Sequence, residues 1–187
     1  MRPQKLTTEQ MLNICALQLK AHGYAGTSID MLAKACGLSK ASFYYYYPNK
    51  EALLLKVLEH TQDYLNQHLF ALQDFAEIDA ITQFNHLHAK AMQFFSYEIK
   101  GCLVGIISLE AGSISTAIVQ KIRDIFKDWQ QCFYLIFQQK MDDHRAQILA
   151  KFSIADYEGA ILMYRLNDDI FYLEQVKSRI LQTLEQQ

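Results

Sequence analysis

Apolar residues recur along most of this chain at three- and four-residue intervals, the period of helices with one buried face. The first such stretch follows Thr7 and Thr8, with Gln10 at capping-box spacing, and carries Leu12, Cys15, Ala16 and Leu19 as far as about His22. Gly23 ends it. A second, barely two turns long, opens after Gly26-Thr27-Ser28 with Thr27 as the expected cap, presents Ile29, Leu32 and Ala33, and stops at Gly37. Ser39 caps a third over Lys40–Tyr47, which Pro48 terminates. Asn49 starts a fourth, about 20 residues long, bearing Leu53, Leu54, Val57, Leu58, Leu65 and Leu69.

Five further helices are predicted. They cover Asp79 to about Tyr97, Gly101–Ala111, roughly Thr116–Met141, a stretch capped by Ser153 and running to about Asn167, and Asp169–Glu185. Only 2 prolines and 7 glycines occur in 187 residues, too few breakers for a many-stranded sheet. The expected class is all-α. An N-terminal three-helix helix-turn-helix domain (residues 1–48) precedes a helical bundle (residues 49–187).

Charge sharpens the division. Residues 1–60 carry a net +3 and the remainder −5, so a polyanion would meet the first third. Between Lys100 and Lys121 the only charge is Glu110. That stretch has spanning length, but a central charge costs about 2.5–3.5 kcal/mol on insertion, so two buried helices are expected rather than a membrane span. The opening MRPQKLTTEQML has no apolar run of the secretory kind, which points to a cytoplasmic protein with reduced thiols. Four cysteines and six histidines show no metal-ligand spacing, and no nucleophile, base and orienter fall into a catalytic motif. Neither a metal, a cofactor nor an enzymatic activity is expected.

The chemistry concentrates in Ser39–Tyr47. At 100° per residue, four successive tyrosines sweep about 300°, so one core cannot hold them all. Phe43 and Tyr47 share an inward face, and Tyr44, Tyr45 and Tyr46 must point elsewhere. Tyrosine hydroxyls donate to phosphate oxygens, and Lys40 and Lys50 add charge at the two ends of the segment. Ala41 and Ser42 are small enough to let a helix seat deeply in a groove, where Ser42 can bond a base and Ala41 can touch a thymine methyl. Thr27 and Ser39 set helix N-termini toward phosphates. A short helix, a glycine turn and a second short helix form the plan that places the second helix in the DNA major groove.

Residues 11–58, above all GYAGTSIDMLAKACGLSKASFYYYYPNKEALLLKVL, resemble the DNA-binding domain of TetR-type transcriptional repressors. The remainder resembles the regulatory half of that family more loosely, through Gly101-Cys102-Leu103-Val104 and Glu158-Gly159-Ala160. The resemblance implies a homodimer on a palindromic double-stranded operator, a small-molecule effector bound in the body, and dimerisation through the late helices. It makes Ser39, Lys40, Ala41 and Ser42 the groove-entering end, Tyr44, Tyr46 and Lys50 phosphate contacts, and Thr27 and Ser28 the cap that turns the second helix toward the DNA backbone. Tyr46 stands where many members have His, and Ala41 replaces a frequent Gly.

Candidates for the effector pocket are Phe84, Phe94, Phe95, Cys102, Glu110, Phe126, Trp129 and Phe133. Candidates for the dimer seam are Gly159, Ala160, Met163, Phe171, Val176 and Ile180. Two readings stand for Cys102, a small buried hydrophobe or a thiol that senses oxidants beside Lys100. Two also stand for Glu110, ligand orientation or an acceptor for a neighbouring backbone or tyrosine. The rival for the whole chain is a helical small-molecule carrier that binds no DNA.

Overall fold

A computed structural model describes residues 6–71 and 78–186. Residues 1–5, which open the segment read above as free of a leader, lie outside the described residues, as do 72–77 and 187. Among the described residues there are nine helices and no strand. Among the same residues, no helix is long and apolar enough to cross a membrane. Two compact units emerge. The first comprises residues up to Asp63 with Leu103–Arg123, and the second Tyr64–Cys102 with Asp124 onward. The boundary drawn from sequence at residues 48 and 49 falls inside the first unit.

In the first unit, α1 (Thr8–His22) starts with the predicted capping box: Thr7 Oγ1 accepts from Gln10 N–H at 3.1 Å and Gln10 Oε1 from Thr7 N–H at 2.9 Å. Its inner face is Met11, Leu12, Cys15 and Leu19. α2 (Ile29–Ala35) buries Leu32 and Ala33. Gly37, at φ 65°, supplies the left-handed residue between α2 and α3 (Lys40–Tyr46), a conformation that costs a side chain bearing Cβ. α4 (Lys50–His68) begins at Asn49, whose Oδ1 accepts from Ala52 N–H at 2.7 Å, and it buries Leu53, Leu54, Val57 and Leu58. α6 (Leu103–Ala111) packs on α1.

In the second unit, α5 (Ala80–Ser96) is capped by Asp79, which accepts from Ile81 and Thr82 N–H at 3.0 and 3.2 Å. α7 (Thr116–Gln138) contributes Trp129, Phe133, Ile136 and Phe137 to the core. α8 (Asp143–Asn167) and α9 (Phe171–Glu185) pack along each other, and α9 also meets α5. The expected start at Ser153 is wrong by three turns. α8 is capped by Asp142, and Ser153 is a buried residue in the middle of it. Its inner row there, Ala146, Ala150 and Ser153, is too small and weakly apolar to register as a stripe.

Candidate nucleic-acid interface and effector core

The reading segment is built as its sequence predicts. Ser39 Oγ accepts from Ser42 N–H at 3.1 Å and closes the N-terminus of α3. Phe43 and Tyr47 turn inward with ring centroids 5.7 Å apart, leaving Phe43 fully buried and Tyr47 nearly so. Tyr44, Tyr45 and Tyr46 are 44%, 89% and 48% exposed. Ser39, Lys40, Ala41 and Ser42 are exposed beside them. Burying Phe43 contributes about 1.5–3 kcal/mol, enough to fix which way the helix faces, while nothing within the unit covers Tyr45. The Ser39 and Ser42 hydroxyls are themselves 2.8 Å apart.

The turn before α2 departs from expectation. Ser28, not Thr27, caps α2, accepting from Met31 N–H at 3.2 Å. Thr27 is buried and its hydroxyl donates to Gly23 O at 2.6 Å, so it presents nothing to a phosphate. Lys50 is likewise occupied. Its ammonium donates to Tyr24 O and Thr27 O at 2.8 and 2.9 Å and lies 4.0 Å from the centre of the Tyr24 ring. Two of its three N–H groups thus hold the protein's own turn, a role inside the unit that its sequence did not announce.

Glu110, on α6, holds the same turn from the other side. Its two carboxylate oxygens accept from Tyr24 N–H at 2.8 Å and Ala25 N–H at 2.7 Å. Both readings of Glu110 were open from sequence. The backbone one is realised, and with each oxygen committed the residue is removed from the effector-pocket candidates. Gly23 permits the approach: its φ is 71°, and a Cβ there would stand 2.5 Å from Glu110 Oε1. An anion on two amides and a cation on two carbonyls fix residues 23–27, and charge-assisted bonds of this kind are about twice as strong as neutral ones.

Within the second unit, Trp129 gathers the aromatic candidates. Phe95, Phe126 and Phe133 have ring centroids 5.6, 6.5 and 6.1 Å from its own. Phe70 and Tyr157, which sequence reasoning missed, join at 6.3 and 5.8 Å. Among the described residues the buried Trp129 indole N–H has no hydrogen-bond partner. Phe84 sits one step away against His88, whose Nδ1 is 2.7 Å from the Tyr157 hydroxyl. Burial, reinforced by Lys177, holds the His88 imidazole below its ordinary range, with Glu174 opposing. Phe94 stacks instead on Tyr64 at 5.7 Å.

Cys102 is buried and its thiol donates to Glu158, whose carboxyl burial pushes up to about 6 against the effect of that bond. The thiol's partner is therefore a carboxylate rather than the cation that activates reactive cysteines. Lys100, the expected activator, is ion-paired with Asp168 and lies 5.0 Å from the Tyr164 ring centre.

Three seam candidates face inward. Ala160, Val176 and Ile180 are buried within the chain's own α8–α9 packing, and Met163 is half-buried. Gly159 and Phe171 are exposed, and a Cβ added at Gly159 would meet nothing within 4 Å. The outward face of α8 carries a different row: Ile148, Phe152, Ala155, Gly159, Leu162 and Leu166, spaced alternately four and three apart. Phe152, Leu162 and Leu166 are 64%, 62% and 73% exposed.

Comparison with known proteins agrees with this architecture. Residues 16–57 match the bacterial regulatory proteins of the tetR family. Residues 78–179, more than half of the chain, match the C-terminal domain of LmrA/YxaF-like transcriptional regulators. The HTH-type transcriptional repressor DhaR of Mycobacterium sp. (strain GP1) is 24% identical over 87% of this chain and 84% of its own length. The HTH-type regulator YxaF of Bacillus subtilis is 26% identical over 86% of each. A TetR transcriptional regulator from Legionella pneumophila shares the fold, with a TM-score of 0.88 over 98% of this chain and 100% of that one at 24% identity.

Proposed function

The chain belongs to the TetR family of bacterial transcription regulators, and from that premise we propose that it is a homodimeric repressor released from a palindromic operator by a small apolar effector. The observation that carries this reading is the capped helix α3, with Phe43 and Tyr47 anchored inside and Tyr44, Tyr45 and Tyr46 left in solvent. Ser39, Lys40, Ala41 and Ser42 enter the groove. Tyr44 and Tyr46 donate to backbone phosphates, and Ser28 directs the start of α2 toward the same strand. Tyr45, the most exposed of the run, extends the phosphate-facing surface.

The experiment is a pair of substitutions read against salt. Tyr44→Phe removes one phosphate donor and is expected to weaken every duplex sequence alike, by about threefold to tenfold. Ser42→Ala is expected to change the preferred sequence while leaving random-duplex binding intact. Affinity for random duplex must also fall steeply as salt rises, whereas a helical carrier would show no binding to lose. Equal losses on all sequences for both variants would contradict the division of roles.

Dimerisation follows from the outward row on α8. A four-three alternation is the seam of two supercoiled helices, and Gly159 at its middle lets backbones approach closely. Two reading helices must stand about 34–36 Å apart to engage successive major grooves. An effector acts by binding the wrongly spaced state more tightly than the matching one.

The unpaired indole N–H among Phe70, Phe95, Phe126, Phe133 and Tyr157 suits a planar apolar molecule carrying one hydrogen-bond acceptor. Trp129 is the sole tryptophan, so its emission reports occupancy directly. Titration with an aromatic ketone such as acetophenone is expected to quench that emission saturably and weaken DNA binding in parallel. Quenching with no change in DNA binding would remove the aromatic core from the switch.

A further inference from the structure

Two thiols in the first unit face each other and take part in none of the contacts above. Cys15 lies on the inner face of α1 and Cys36 closes α2, with their sulfurs 3.9 Å apart. Cys15 is fully buried and Cys36 is 5% exposed. A disulfide holds its sulfurs about 2.05 Å apart. The two sulfurs already touch, and bond formation requires them to close by about 1.9 Å. We propose that Cys15 and Cys36 form a dithiol modification site, which hydroperoxides convert to an intramolecular disulfide that releases the protein from DNA.

The local chemistry assigns the two sulfurs different roles. The hydrogen bond between the two sulfurs, in which either can donate, holds the Cys36 ionisation below the ordinary thiol range, although burial works the other way. The same bond, then burial, pushes Cys15 up. Cys36 is also the one of the two that reaches solvent, so it meets the peroxide first and is the attacking thiolate. It attacks one peroxide oxygen, the O–O bond breaks, and the alkoxide or hydroxide that leaves takes up the proton Cys36 had released. Cys36 becomes a sulfenic acid. Cys15 then attacks the Cys36 sulfur, an S–S bond forms, the S–O bond breaks, and hydroxide leaves with the Cys15 proton as water. In sum, two thiols and one hydroperoxide give one disulfide, one alcohol (water, from hydrogen peroxide) and one water. The two sulfurs lose the two electrons that the peroxide gains.

Both ends of α3 rest on this pair. Cys36 is followed by Gly37 and Leu38 and then by Ser39, the cap of the reading helix, so movement of Cys36 passes directly to that cap. At the other end, burial and then the charge of Cys15 and Cys36 raise the Tyr47 phenol, which marks ring and sulfurs as close neighbours. Drawing the sulfurs together moves the floor on which Tyr47 sits. The redox response therefore belongs to the DNA-reading unit and not to Cys102.

The inference rests on the DNA-binding reading, and its chemistry is scored separately from binding. The full-length reduced protein is incubated with hydrogen peroxide. Its affinity is then measured for a duplex that the reduced protein has itself selected from a random pool. The expected result is loss of two hydrogens in the intact mass, one proteolytic species joining the Cys15 and Cys36 peptides, and an affinity at least about tenfold weaker, all reversed by dithiothreitol. Cys15→Ala and Cys36→Ala are expected to abolish the response, and Cys102→Ala and Cys132→Ala to keep it. Four free thiols after treatment, or an equal peroxide effect in Cys36→Ala, overturns the proposal. Should an alanine variant fail to fold, peptide mapping of the unsubstituted protein decides the linkage. A linked pair with unchanged affinity overturns the switch and leaves DNA binding untouched.

Discussion

Glu110→Ala is expected to weaken operator binding by about tenfold to a hundredfold, although Glu110 has no expected contact with DNA. The substitution removes both acceptors that hold the Tyr24 and Ala25 amides. A hydrogen bond to a charged group is worth about 1.5–3 kcal/mol. Water reaches part of this turn, so the pair together is expected to cost about 2–4 kcal/mol of local order. The turn precedes α2, and α2 positions α3. A reading element that spends less time in its competent arrangement binds with an affinity reduced by that fraction. Glu110→Gln keeps one acceptor and is expected to fall between the two. Thermal unfolding and duplex titration check both variants. Binding and stability equal to the unsubstituted protein in Glu110→Ala would show that Lys50 alone, through Tyr24 O and Thr27 O, suffices to hold the turn.

The second large effect is on assembly. Leu162→Glu sets a carboxylate in the middle of the outward row on α8, and a twofold axis places two of them against each other. Removing an unpaired carboxylate from water costs several kcal/mol. The variant is expected to sediment as a monomer at micromolar concentration. Because linking two modules raises avidity by about a hundredfold to ten-thousandfold, its operator affinity is expected to fall by at least the lower of these factors. Leu162 is exposed in the single chain, so folding should be undisturbed and the helical signal unchanged. A dimer that survives the substitution would place the seam elsewhere.

The reading helix was legible in the sequence because its information is local. Ser39 and Pro48 bracket it, and the sweep of four tyrosines forces three of them outward whatever lies nearby. The fates of Thr27, Lys50 and Glu110 were not legible on the same footing. Thr27 and Ser28 are adjacent hydroxyls, and which of them caps α2 depends on Gly23 O being within reach of the first. Glu110 meets Tyr24 across 86 positions of sequence, and no periodicity reports such a pairing. The outward row on α8 was legible only in part. Gly159 was among the seam candidates, but with α8 begun at Ser153, Ile148 and Phe152 fell outside the helix and the row lost its first turns, while Ala160, Val176 and Ile180 turn into the α8–α9 packing. Trp129 and its aromatic neighbours were foreseen as a group. Phe70, in the bend after α4, and Tyr157, on α8, meet Trp129 only through tertiary packing.

The Ser39–Ser42 hydroxyl contact has a consequence for how the protein would engage different binding sites. That contact uses one hydroxyl hydrogen and one lone pair, and either serine can be its donor, so the second hydrogen stays free on one oxygen or the other. Rotating both hydroxyls moves the free hydrogen between Ser39 and Ser42 without parting the two oxygens. The pair would thus offer a base edge a donor at either of two neighbouring positions, adapting to the sequence it meets while the surrounding tyrosines supply the grip.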